Sequence, residues 1–190
     1  MKMIEELENI LKNNLYFLRG SRIYQTNHEN SDWDFCVIGD LNDNQKIKIN
    51  SLLNCNFEFF TKEEFQNEIY NHEISALECL WTKENNFLFN LDLKILRKSI
   101  AQKASNSYVK AKKKLIDNEI EIAQKSLFHS FRILDFGTQI ATNGKIQNYS
   151  SMNFILNEIK NLEPNWNLWE EKFKKLHNQF HSEFKTKAPK

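Results

Sequence analysis

Leu15-Tyr16-Phe17-Leu18 runs into Arg19-Gly20-Ser21-Arg22, and after the spacer Ile23-Tyr24-Gln25-Thr26-Asn27-His28-Glu29-Asn30-Ser31-Asp32 comes Trp33-Asp34-Phe35-Cys36-Val37-Ile38. The first run is apolar and stopped by a glycine, which predicts a buried strand entering a turn. The last alternates and is rich in aromatic and β-branched residues, a second strand. Gly39-Asp40-Leu41-Asn42-Asp43-Asn44, dense in turn formers, ends it. Residues 44–53 then take a helical pattern and Asn56 to Phe60 reads as a third strand, a βαβ-like layout. Toward the N-terminus, Ile4, Leu7, Ile10 and Leu11 at helical spacing predict a helix over 4–12. Toward the C-terminus, Thr61 and Glu64 have the spacing of a capping box and open helices expected at 62–70 and 73–81. Asn86 to Leu93 is expected as a fourth strand. Helical periodicity follows over 94–116, 118–142, 151–161 and 166–185, with Thr142-Asn143-Gly144 as a stop and Pro164 between the last two helices. The fold class is α+β: a small mixed α/β sheet domain over 1–93, then a helical bundle over 94–190.

Composition agrees with this layout. The 190 residues are 41% hydrophobic and 13% aromatic, which excludes a disordered or collagen-like chain. Only 4 Gly and 2 Pro occur, too few for a sandwich of many tight turns. No apolar stretch approaches the roughly 18 residues that cross a bilayer, and mean hydropathy is −0.62, so no membrane partner is expected. Cys36, Cys55 and Cys79 form no C-x-x-C pair and sit among apolar residues, as buried free thiols do in a reducing cytoplasm. The net charge of +1 conceals an asymmetry: residues 1–93 carry 8 Lys/Arg against 16 Asp/Glu, and residues 94–190 carry 18 against 9. That division suits metal ions on one wall and polyphosphate or nucleic acid on the other, and equally two solvated surfaces that dock by opposite charge.

The chemistry-bearing residues gather in the opening segment. A Gly20-Ser21 turn lets backbone N–H groups approach phosphate oxygens closely, and the serine hydroxyl adds a further hydrogen bond. Asp32 and Asp34, two apart at a strand start, project from one face. Two such acids with a third nearby hold a pair of Mg²⁺ ions, about 3.5–4 Å apart, that activate a hydroxyl and stabilise leaving pyrophosphate. In the basic half, Lys125, His129 and Arg132 fall at i, i+4 and i+7 of one helix. Facing an acidic metal site, such a stripe would hold a triphosphate; alone it is a solvated face. Lys110, Lys112, Lys113 and Lys114 read as a charged face. His177 and His181 read as surface residues, because no third ligand accompanies them. Trp81, Trp166 and Trp169 read as core or interface aromatics.

The string G-S-R-x-Y-x-T-x-x-x-x-S-D-x-D, from Gly20 to Asp34, resembles the signature of the DNA polymerase beta-like nucleotidyltransferase superfamily. It looks most like the branch of nucleotidyltransferases found beside RNA-repair ligases. One departure is Gln25, where that branch usually has Gly. The resemblance implies a nucleotidyltransferase core with Asp32, Asp34 and a third carboxylate on a later strand as catalytic metal ligands. Glu58, in Phe57-Glu58-Phe59, is preferred for the third place over Asp92, in Leu91-Asp92-Leu93. Phe65 and Ile74-Ser75-Ala76-Leu77-Glu78 resemble the helices that follow in that branch, and the Lys125/His129/Arg132 arrangement resembles its helical domain. Gly20, Ser21, Arg22, Lys125, His129 and Arg132 would then contact the nucleotide. The expected cofactor is two Mg²⁺ ions, with Mn²⁺ as a substitute. The expected reaction moves an NMP from an NTP, ATP foremost, to a hydroxyl of an RNA end. Alternatives are a protein hydroxyl, modified as antitoxin-type nucleotidyltransferases do, an antibiotic acceptor, and a non-catalytic nucleotide-binding module. A pI near 7.7 argues against strong non-specific RNA binding by the whole chain.

Overall fold

The computed structural model describes residues 14–51 and 54–190; the helix expected over 4–12 lies outside them. Strands β1 (Leu15–Arg19), β2 (Trp33–Ile38) and β3 (Cys55–Phe60) form a mixed sheet with β2 central, antiparallel to β1 and parallel to β3. Helix α1 (Asp43–Asn50) makes the crossover and opens on a capping box between Asn42 and Gln45. Helices α2 (Lys62–Tyr70) and α3 (Ile74–Leu80) follow, then α4 (Leu93–Ile116), α5 (Ile120–Asn143), α6 (Asn153–Lys160) and α7 (Trp166–Lys187). The sheet preceding a helical bundle is the α+β class that the sequence pattern implies.

The chain divides into two compact units. One takes the chain through Tyr70 together with Ser75–Phe89; the other takes Asn71–Ile74 and Asn90–Lys190. In the first, alternation gives the sheet two chemically different faces. On one, Phe35 and Val37 pack with Leu41 and Ile49, and Trp33, Phe35, Phe57 and Phe59 stack along the strands. On the other, the register aligns Phe17 with Cys36 and Leu15 with Ile38 at one end, and Arg19 with Asp34 and Asn56 at the opposite end. The same strands therefore supply an apolar floor and a charged rim.

Asn86–Asp92 is not a strand. The Gln66 side-chain amide both donates to the Leu88 carbonyl (2.7 Å) and accepts from its N–H (2.9 Å), satisfying backbone that would otherwise need a neighbouring strand. Phe87 packs edge-on against Phe65, and Leu88 is 63% exposed, so the apolar residues of this run do not all seek the core.

In the second unit, Ala111 of α4, Leu127 and Phe131 of α5, Ile155 and Ile159 of α6, and Trp169 and Phe173 of α7 make one core. Gly137 permits close approach there: a Cβ would lie 2.6 Å from Ile100 Cγ2 and 2.9 Å from Phe184 Cε2. Asp92 and Asn165 cap α4 and α7 with their side chains, and Gly144 ends α5 at φ +72°. Arg97 closes the other end of α7 by donating to the carbonyls of Lys185 and Ala188. Among the described residues no helix is long and apolar enough to cross a membrane.

Candidate active site

The charged rim of the sheet unit is built on Gly20. The Gly20–Arg22 turn leaves β1 with Gly20 at φ +72°, and Ile23 and Tyr24 both donate to its carbonyl. A Cβ on Gly20 would sit 2.2 Å from Asp34 Oδ2 and 3.0 Å from Asp34 Cγ, so only glycine lets the turn lie against that carboxylate. Asp34 is half-buried and its Oδ1 accepts from Asn56 Nδ2 at 3.0 Å. Asp32, exposed, stands just before β2. Both acids are close enough to Cys55 to raise its thiol pKa, after burial, while Arg22 opposes them.

The spacer is pinned at three points. Thr26 N–H donates to the Ser21 carbonyl (2.9 Å), and Arg22 donates to the Ser31 carbonyl (2.7 Å) with its guanidinium 3.7 Å from the Trp33 ring centroid. Tyr24, 2% exposed, donates its hydroxyl to Glu78 of α3 at 2.6 Å. Arg22, expected at the nucleotide, is thus engaged in holding the loop. Gln25, where the resembling branch usually has glycine, adopts φ +59°, the left-handed region that glycine enters freely.

Glu58 lies on the same face as Asp34 but is ion-paired with Arg19, the residue opposite Asp34 on β1. Burial works against the Arg19 charge, yet the hydrogen bond to Glu58 and the nearby Cys79 and Glu78 hold its pKa above the ordinary arginine value. Asp92, the other candidate for the third carboxylate, belongs to the helical unit and accepts from the N–H groups of Ile95 and Lys94, which lower its pKa against the effect of burial. Among the described residues no three His, Cys, Asp or Glu side chains are placed to share a metal ion. A single Mg²⁺ needs only one or two protein carboxylates, with the rest of its shell from water and phosphate oxygens, and Asp32 and Asp34 are the two acids the chain offers at the edge of this turn.

Lys125, His129 and Arg132 belong to the helical unit and do not form one cationic face. Lys125 is exposed, whereas Arg132 is 6% exposed with its guanidinium 5.4 Å from the Phe136 ring centroid. Burial, then Arg132, Lys110 and Lys125, push the His129 pKa well below its ordinary value, so it is neutral at pH 7. His177 is not the surface residue its spacing suggested. It is 7% exposed, packed 4.6 Å from Tyr108 and 5.2 Å from Phe131, and burial followed by His181 lowers its pKa to about 4.

Arg19, Asn56 and the Tyr24–Glu78 hydrogen bond were not predicted from the sequence, although Tyr24 and Glu78 each lie in a stretch that carries the resemblance. A signal exists for two of them: Arg19 directly precedes Gly20, and Asn56 shares strand phase with Glu58. No family model, curated protein or solved structure matches the chain.

Proposed function

We propose that the chain is a Mg²⁺-dependent nucleotidyltransferase that moves an NMP from an NTP to a hydroxyl acceptor and releases pyrophosphate. The observation that carries this reading is Gly20 at positive φ, packed where any Cβ would displace the Asp34 carboxylate. A turn whose backbone amides suit phosphate is thereby joined to an acid that suits a hard cation. Asp32 and Asp34 would hold the ion, with Asn56 fixing the orientation of the Asp34 carboxylate. When bound, Mg²⁺ would supply Lewis-acid stabilisation of the charge developing on the transferred phosphate. Gly20 and Ser21 would orient the phosphates, while Arg22 and Tyr24 keep the spacer in the shape that the turn requires.

ATP is the proposed donor and an RNA end the proposed acceptor, on the resemblance of the Gly20–Asp34 string. Incubation of the protein with each labelled NTP and pooled RNA, protein or aminoglycoside tests both. Asp32→Asn and Asp34→Asn should each abolish Mg²⁺-dependent labelling with the circular dichroism spectrum unchanged. Full labelling by either variant would refute the assignment of these two acids.

A further inference from the structure

Arg19 and Glu58 sit on opposite outer strands of the sheet, yet their side chains meet, so the ion pair spans the central strand across the face that carries Asp34 and Cys36. The arginine side chain is only 18% exposed, against 54% for the glutamate. Glu78, 4% exposed and held by the Tyr24 hydroxyl, is near enough to favour the charged guanidinium as well. Arginine remains charged at every accessible pH, and its planar fork matches a carboxylate. A two-ion site would need the Glu58 carboxylate as a ligand, with the ions about 3.5–4 Å apart. That carboxylate is already paired with a permanent cation that is itself largely buried.

We infer that Arg19 takes the place of a second metal ion at Glu58, so that the site holds one divalent cation, at Asp32 and Asp34. This rests on the reading of the chain as a nucleotidyltransferase and specifies its metal requirement. Glu58 then acts as the positioning partner of Arg19 and is not a metal ligand. The permanent charge of Arg19 lies beside Asp34 in sheet register, next to where a phosphate bound at the Gly20 turn would carry its charge.

The test is titration of the protein with Mn²⁺ alone, free ion being followed by electron paramagnetic resonance. The wild type should bind one ion, and Asp34→Asn should lose it. Glu58→Gln should retain one ion, its affinity reduced by less than about tenfold, the size expected from losing one charge several ångströms away through water. Arg19→Met should free Glu58 and bind a second ion. Two ions in the wild type, or loss of an ion in Glu58→Gln, would overturn the inference while leaving the nucleotidyltransferase reading intact. An unchanged single ion in a folded Arg19→Met variant would also overturn it. Binding of no ion, or binding indifferent to Asp34→Asn, would overturn both.

Discussion

Replacing Gly20 by alanine should disable the site with little damage to the fold. The cost has two parts. A residue with a Cβ at φ +72° loses about 1–2 kcal/mol relative to glycine. The new methyl group would also start 2.2 Å from Asp34 Oδ2, and ordinary contact begins near 3.4 Å, so the carboxylate must retreat by about 1.2 Å. Rotation of the carboxylate alone does not relieve the clash, because Asp34 Cγ and Cβ lie at 3.0 and 3.3 Å. Displacement on this scale at a reacting centre costs on the order of a hundredfold in rate. Urea denaturation should therefore show a loss of at least about 1–2 kcal/mol, the clash adding to the conformational cost, while NMP transfer falls about a hundredfold and Mn²⁺ affinity falls with it. A Gly20→Ala protein with wild-type Mn²⁺ affinity and transfer rate would refute the link between the turn and Asp34.

Two further outcomes test the account elsewhere. With a folded pKa of about 4 against an ordinary 6.5, His177 makes the unfolded state bind more protons between those values, so stability falls as pH drops. From pH 7 to 5 its share of that loss is about 2 kcal/mol, and His177→Phe should remove it; equal pH dependence of urea unfolding in the two proteins would contradict this. Gln25→Gly should stabilise the protein by about 0.5–1 kcal/mol, because Gln25 holds φ +59° at a cost that glycine avoids, and a lowered midpoint in thermal unfolding would speak against that backbone geometry.

The parts of the fold legible in the sequence are those with local causes. The strand Trp33–Ile38 follows from its own alternation, the start of α2 from the reciprocal Thr61–Glu64 hydrogen bonds, and the end of α5 from Gly144. The approach of Gly20 to Asp34 has causes of the same kind, a turn and the register of two strands adjoining it in sequence. What stayed hidden depends on partners distant in sequence. Leu88 carries a strand-like pattern, but its backbone is satisfied by Gln66, 22 residues away. Glu58 and Asp92 share the same hydrophobic flanks, and only the fold gives one to Arg19 and makes the other the cap of α4. His177 looked like a surface residue because helical spacing does not reveal that Tyr108 and Phe131 enclose its ring.

The central claim is transfer of a nucleotidyl group, and the choice of label isolates it. ATP carrying label at the α-phosphate, and separately at the γ-phosphate, is incubated with Mg²⁺, pooled acceptors and either wild-type protein or Asp34→Asn. The account predicts that α-label becomes attached to an acceptor, that γ-label leaves in pyrophosphate, and that Asp34→Asn does neither. Attachment of γ-label, or α-label attached equally by Asp34→Asn, would contradict it.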